Sequence, residues 1–205
     1  MKKILIVLLL LTLSYYTKAQ LDLNLGLNLG VTIPTGDFGK IYKPNLSYGL
    51  TLYKFQLIDE VKISVGISYA RLKPRQDTFF SPPSFNPTLN DYEVFGNYNL
   101  FTFRAQGDYI ILYDKAISPT VGAALVGNYS SYQYNSRGNP KYNAYENGSD
   151  NSVGLSLNAG VMYDYENLYL LQFRVGRFFT VNSDNGVNYP MYLVDFVAAI
   201  NLDEF

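Results

Sequence analysis

From Leu21 to Ile33 the odd positions are Leu21, Leu23, Leu25, Leu27, Leu29, Val31 and Ile33, and the even positions are Asp22, Asn24, Gly26, Asn28, Gly30 and Thr32. A strand turns successive side chains to opposite faces, so one face of this stretch is wholly apolar and the other holds only polar groups and glycine. A helix would spread the same leucines around its whole surface. Strands of soluble proteins usually run to about five or six residues, whereas a tilted strand that crosses a bilayer needs roughly nine to eleven. This stretch is long enough to cross and reads as the first strand of a transmembrane barrel.

The pattern returns along the rest of the chain. A second strand sets Leu46, Tyr48, Leu50 and Leu52 against Ser47, Gly49 and Thr51, and the change of parity at Tyr53, Phe55 and Leu57 implies a bulge. Further strands carry Val61 to Tyr69, Phe101 to Tyr109, Val121 to Tyr129, Val153 to Tyr163, Tyr169 to Val175 and Tyr192 to Leu202 on their apolar faces. Connections alternate. The long ones are the Pro34 to Pro44 break, Arg71 to Asp91 with its four prolines, Ser130 to Ser152, and Thr180 to Pro190; the short ones are Ile58 to Glu60, Tyr113 to Ala116 and Asp164 to Asn167. Outer-membrane barrels combine short periplasmic turns with long extracellular loops, and only a closed sheet satisfies every backbone group within lipid. The expected fold is therefore all-β, an eight-stranded antiparallel up-and-down transmembrane β-barrel. A soluble lipocalin-like barrel shares the alternation with its apolar face turned inward. Its outer face would carry many charges, whereas the polar face here is Gly, Ser, Thr and Asn with few Lys or Glu.

Residues 1–19 have the layout of a signal peptide, with Lys2 and Lys3 followed by the apolar run Ile4 to Leu13 and a polar stretch ending at Ala19. That apolar run is too short for a spanning helix, and the expected barrel domain is 20–205. The cell outer membrane is the implied location. The chain has no cysteine, which removes disulfides, thiolate metal sites and a thiol nucleophile. Lys plus Arg is 16 and Asp plus Glu is 17, a balance that argues against nucleic acid as a partner. The 20 tyrosines suit a membrane-water boundary, where the ring lies among acyl chains and the hydroxyl stays wet.

Gly30-Val31-Thr32-Ile33-Pro34-Thr35-Gly36-Asp37-Phe38-Gly39 resembles the first strand and loop of the small eight-stranded outer-membrane β-barrel domains of Gram-negative bacteria, and Ala19 before Gln20 resembles their cleavage site. Phe205 is similar to the terminal aromatic of their assembly signal, although the lipid face of the last strand is even-numbered and 205 is odd. The resemblance implies outer-membrane lipid and the barrel-assembly machinery as partners, and an extracellular protein or glycan as ligand. It brings no catalytic residue and no cofactor.

An eight-stranded barrel has an interior just wide enough to be filled by side chains. The charges expected inside are Asp22, Lys62, Arg104, Asp108, Arg174 and Asp195, three of each sign. Arg174 and Asp195 are nearly equidistant from a loop centred near residue 185 and should pair across the ladder, in which case exchanging them preserves folding. Lys62 and Asp108 fall near the same, periplasmic end. A mutually neutralising structural network is the reading; a proton or ion path is its competitor, since buried charges are tolerated only when paired. The absence of histidine excludes a Ser-His-Asp site, and the acids Asp77, Asp91, Glu93, Glu146, Asp150 and Asp184 are read as solvated loop residues, so no catalysis is expected.

The loops are the better candidates for function. Tyr132, Tyr134, Tyr142 and Tyr145, set among Ser, Asn and Gly, have the composition of adaptable binding loops; Tyr69 and Tyr129 are better explained as girdle residues. Phe79, Phe80 and Phe85 in the proline-rich loop are candidates for contacting a partner or for covering the barrel mouth. Asn147 to Asp150 and Asn182 to Gly186 offer oxygen ligands for calcium without the spacing of an EF-hand, and ordinary turns explain them. The expected function is a surface-exposed binding or structural role in the cell envelope. The alternatives are a component of an outer-membrane secretion or envelope assembly, and a narrow channel.

Overall fold

The structure, a computed structural model, describes residues 24–58, 60–76, 79–80, 92–113, 115–135, 146–165, 168–184 and 189–202. The signal-peptide segment, Asp22, Phe85, Tyr142, Tyr145 and Phe205 lie outside these residues. Eight strands form the wall: β1 (Asn24–Pro34), β2 (Asn45–Ile58), β3 (Val61–Leu72), β4 (Tyr92–Ile110), β5 (Ile117–Asn135), β6 (Glu146–Tyr165), β7 (Tyr169–Ser183) and β8 (Met191–Asn201). Each pairs antiparallel with its neighbours in the chain, and β1 pairs with β8 from Asn24↔Asn201 to Pro34↔Met191, which closes the ring. Closure gives every strand a partner on both sides within the ring, so the ladder satisfies the backbone polar groups there.

The period-two pattern decides which way the wall faces. Leu27, Leu29, Leu46, Ile67, Phe103, Leu125, Leu157 and Phe173 are exposed on the outside, while Asn28, Thr51, Thr102, Gln106, Asn128 and Ser156 are buried inside. A water-soluble barrel would place these sets the other way round. The apolar outside surface far exceeds the few hundred Å² that a soluble monomer exposes, and it fits a wall solvated by lipid. Tyr48, Tyr69, Phe101 and Tyr129 form a continuous aromatic row across β2 to β5, with successive ring centroids 5.5, 4.9 and 6.3 Å apart. The row marks the boundary of the apolar band toward the end that carries the long connections.

The strands are unequal, which alternation alone does not reveal. β4, β5 and β6 have 19, 19 and 20 residues, against 11, 12 and 11 for β1, β3 and β8. At roughly 3.3 Å per residue the longest reaches about 65 Å, roughly twice the ~30 Å hydrocarbon core. One side of the barrel therefore rises well past the aromatic row. The expected Ser130 to Ser152 loop is corrected accordingly: 130–135 and 146–152 belong to β5 and β6, paired from Ser130↔Asp150 to Tyr134↔Glu146. The 147–150 stretch is strand and not a turn. In the connection after β3, Phe79 and Phe80 form a two-residue strand against Glu93 and Tyr92.

Two further expectations change. The break after Pro34 contains a helix, α1 (Gly36–Ile41), with Asp37 in its first turn and Lys40 in its last, the arrangement that complements a helix dipole. Gly36 takes a φ of 57°, the left-handed value that lets β1 turn into the helix. The bulge in β2 is present, with shifts between Tyr53 and Phe55 and between Gln56 and Ile58, but Tyr53 precedes it and keeps the inward parity of Ser47, Gly49 and Thr51. Its side chain is buried in the lumen.

Candidate functional site

The lumen is filled in layers. Toward the short turns, Tyr53, Ile110, Met162, Leu170, Val197 and Ala199 form an apolar cluster. Toward the long connections, Leu72, Leu100, Val126, Phe178 and Met191 form another, which continues into Phe38, Tyr42, Tyr98 and Tyr189. The polar interior expected from the even positions is therefore a belt between two apolar layers.

That belt holds the charges. The ladder sets Arg174 opposite Asp195, and the guanidinium Nε donates to the carboxylate at 3.2 Å. Arg104 comes from β4, four strands away from β8 in either direction around the ring. It crosses the lumen, and its Nη1 donates to the same Asp195 oxygen at 2.6 Å. Glycines make the room: a Cβ on Gly30 would stand 2.7 Å from Asp195 Oδ1, and Gly66 is the β3 partner of Arg104. Asp108 accepts from Gln106 Nε2 at 2.8 Å and from Gln172 Nε2 at 3.1 Å. Tyr53 then donates to Gln172 Oε1 at 2.7 Å, and Arg174 reaches the same oxygen at 3.4 Å. Two guanidinium groups and two carboxylates thus share one connected network, as burial in a narrow lumen requires. Its shared acceptor changes what the exchange of Arg174 and Asp195 should do. The exchange would bring a second guanidinium toward Arg104, so it is expected to destabilise the barrel.

Lys62 lies opposite Asp108 in the ladder, but its ammonium binds Asp164 of β6. Asp164 falls in a stretch that reads as a turn, yet it keeps the even parity of Gly154, Ser156, Asn158 and Gly160, and that parity is the signal which places it inside. Gln106, Gln172 and Tyr53 were likewise not expected as network members. Among the described residues a void of about 10 Å³ remains, lined by Asn28, Thr51, Ser64, Arg104 and Arg174, roughly the smallest space that admits a water molecule.

Above the belt, α1 turns Phe38 down into the mouth. The Phe38 ring meets Tyr98 at 5.1 Å and Tyr189 at 5.4 Å in edge-on geometry, and Tyr42 at 5.2 Å. Backbone bonds tie the segment to its surroundings, from Thr35 N to Pro190 O at 2.9 Å, Lys43 N to Lys73 O at 2.9 Å and Arg75 N to Ile41 O at 2.7 Å. Tyr132, expected on a binding loop, is a β5 residue stacked on Tyr98 with planes 11° apart. Tyr134 is also in β5, where its backbone pairs with Phe95 and Glu146. Neither is a loop residue.

Burial raises the Tyr42 phenol well above its ordinary value, helped by Tyr98 and Tyr132, and burial followed by its hydrogen bond to Asp150 does the same for Tyr189. Both are raised above the unfolded value of about 10. Their contribution to stability is therefore complete below pH 10 and is lost as pH climbs beyond it, because the unfolded chain ionises first. An alkaline titration followed by tyrosinate absorbance should show a late-ionising fraction that shrinks in Tyr42→Phe and Tyr189→Phe. Equal titration of all three proteins would refute the buried mouth.

A closed eight-stranded wall, apolar outside and with a filled, charge-paired lumen, is the fold found in the small outer-membrane β-barrels. No protein-family model matches the chain, and no curated protein matches it in sequence. In fold it is similar to the crystal structure of Neisserial surface protein A, at 14% identity and a TM-score of 0.61, with 88% of this chain and 97% of that one aligned. Looser alignments join it to Ail of Yersinia pestis, at 10% identity over 88% of this chain and 99% of that one with a TM-score of 0.49. OprG of Pseudomonas aeruginosa aligns at 13% identity over 89% and 95% with a TM-score of 0.47.

Proposed function

We propose that this chain resides in the bacterial outer membrane and acts by contact at its long-connection end, as a surface-exposed binding or structural protein with no catalytic step. The supporting observation is the division of labour along the barrel axis. The middle of the lumen is bridged by Arg104 and Asp195, which favours a solid body over a conduit, while β4 to β6 rise past the aromatic row as a wall with a polar outer face. The segments at 79–85 and 136–145 connect to this wall, the second directly between β5 and β6. The lack of histidine and cysteine removes a Ser-His-Asp site and a thiol nucleophile, which supports a binding role.

The first experiment is gel migration of the outer-membrane fraction before and after boiling, where a closed barrel should shift. Deleting 137–144 should then leave that shift intact and abolish binding of whole cells to immobilised protein and glycan arrays. If the deletion instead stops export of other envelope proteins, the assembly role replaces this reading. Steady single-channel current from the purified barrel would replace it with the channel.

A further inference from the structure

The outer surface of the raised wall carries a groove whose amide and guanidinium side chains neither the network nor the mouth uses. It measures about 350 Å³ and is lined by Arg71, Asn97, Asn99, Ser131, Gln133 and Asn147, and by Tyr132 and Gly148, which meet each other on the lumen side. That volume lies at the lower end of the roughly 300–1,000 Å³ typical of small-molecule sites. Its position is fixed by the aromatic row beneath it, because the Tyr69 hydroxyl donates to Asn99 Oδ1 at 2.8 Å. The groove therefore opens just outside the apolar band, at the level of lipid headgroups and their sugars.

The wall is shaped to make this groove. Pairing of β4 with β5 shifts between Phe95 and Tyr98, so β4 has one residue more than its partner there, a bulge that bends the strand and re-aims its side chains. Gly96 permits the close approach, since a Cβ there would stand 2.9 Å from that of Gln133. Gly148 permits a close approach on the lumen side, where a Cβ would lie 2.5 Å from Tyr132 Cε2.

The lining chemistry is selective. Among the described residues it contains three asparagines, one glutamine, a serine and a guanidinium, with no carboxylate. Asn99 donates weakly to Ser131 at 3.4 Å and Gln133 to Asn147 Oδ1 at 3.3 Å. Among the described residues, those bonds leave Gln133 Oε1, the Asn147 amide protons and the Asn97 side chain for a ligand. Planar amides present a donor and an acceptor side by side, which matches neighbouring sugar hydroxyls that both give and take a hydrogen bond. Among the described residues the Arg71 guanidinium has no ion-pair partner. Its backbone carbonyl, which accepts from Asn45 Nδ2, is what the fold uses. A guanidinium at the rim selects a phosphate or carboxylate.

We propose that this groove is a binding site for an acidic saccharide, one bearing a phosphate or carboxylate, held by Asn97, Gln133 and Asn147 with Arg71 on the anionic group. The inference rests on the contact reading above and gives it a place and a ligand class. Two sources share the chemistry: the sugar headgroup of a glycolipid in the same membrane, and a free glycan.

The test uses the full mature chain in phospholipid nanodiscs, with side-chain amide resonances followed by NMR during titration with glucuronic acid, glucose 6-phosphate and methyl glucoside. The Asn97, Gln133 and Asn147 amides should shift saturably with the two acidic sugars and less with the neutral one. Arg71→Gln should weaken the acidic sugars roughly tenfold to hundredfold, the usual worth of a charged hydrogen bond, and leave methyl glucoside unchanged. Nanodiscs containing lipopolysaccharide that show the same shifts without added sugar would assign the site to a membrane headgroup; shifts with soluble sugars alone would assign it to a free glycan. If no sugar and no lipopolysaccharide moves these amides while the spectrum is that of a folded barrel, the saccharide site is overturned. The loop-deletion assay is independent of that result, so either reading can fail without the other.

Discussion

Replacing Asp195 by asparagine should destabilise the barrel by about 3–5 kcal/mol, the usual cost of removing one partner from a buried ion pair. Asp195 is the single carboxylate between two guanidinium groups, with Arg104 at 2.6 Å and Arg174 at 3.2 Å on the same oxygen. An asparagine keeps the shape and a hydrogen-bond acceptor but leaves the belt with two cations against Asp108 alone. The expected readouts are a lower urea midpoint in lipid vesicles and a folded band that converts to the unfolded position at lower temperature. The control is Arg104→Met in the same chain. It removes one of the two stranded cations, and Arg174 still has Gln172 and the nearby charge of Asp108, so the double variant should recover most of the loss. Recovery measures the coupling directly. If Asp195→Asn is as stable as the native chain, or if Arg104→Met adds to the loss, the bridge across the lumen is not what holds this layer together.

How much of this was legible depends on the distance over which each feature is encoded. The alternation in Leu25 to Ile33 contains the inside-outside decision residue by residue, because the pleat itself has period two. Arg174 and Asp195 were legible as a pair because they flank one connection, and a hairpin's register follows from counting outward. Arg104 on the same carboxylate was not, since it stands on the opposite wall and no local pattern reports what lies four strands away. The upper parts of β4 to β6 were hidden for a different reason. Past Phe101 and Tyr129 the outer face no longer meets lipid, so Asn99, Ser131 and Gln133 replace the leucines and the apolar alternation stops, although backbone pairing continues to Asn135. The inner face kept the trace, in Tyr98, Leu100 and Ser130. Asp164 was missed because a polar residue near a short connection reads as a turn, when its parity already placed it inside.

The second large effect concerns the mouth. Truncating a buried phenylalanine typically removes about 3–5 kcal/mol, and Phe38→Ala takes away the one buried side chain of α1. A six-residue helix cannot sustain itself, because nucleation is unfavourable and few bonds follow it. The loss should therefore appear as local opening of 35–43 and not as unfolding of the wall, whose ladder does not depend on this contact. Three kcal/mol corresponds to roughly a hundredfold rise in the open population. Hydrogen exchange should quicken by that factor in α1 alone, and trypsin, to which Lys40 is already exposed, should nick the chain there while the boiling-dependent gel shift persists. Conductance should stay absent, because the Arg104 to Asp195 bridge lies below the mouth and remains in place. Steady current through Phe38→Ala would show that α1 was the seal, and that the charged belt neutralises the lumen without closing it.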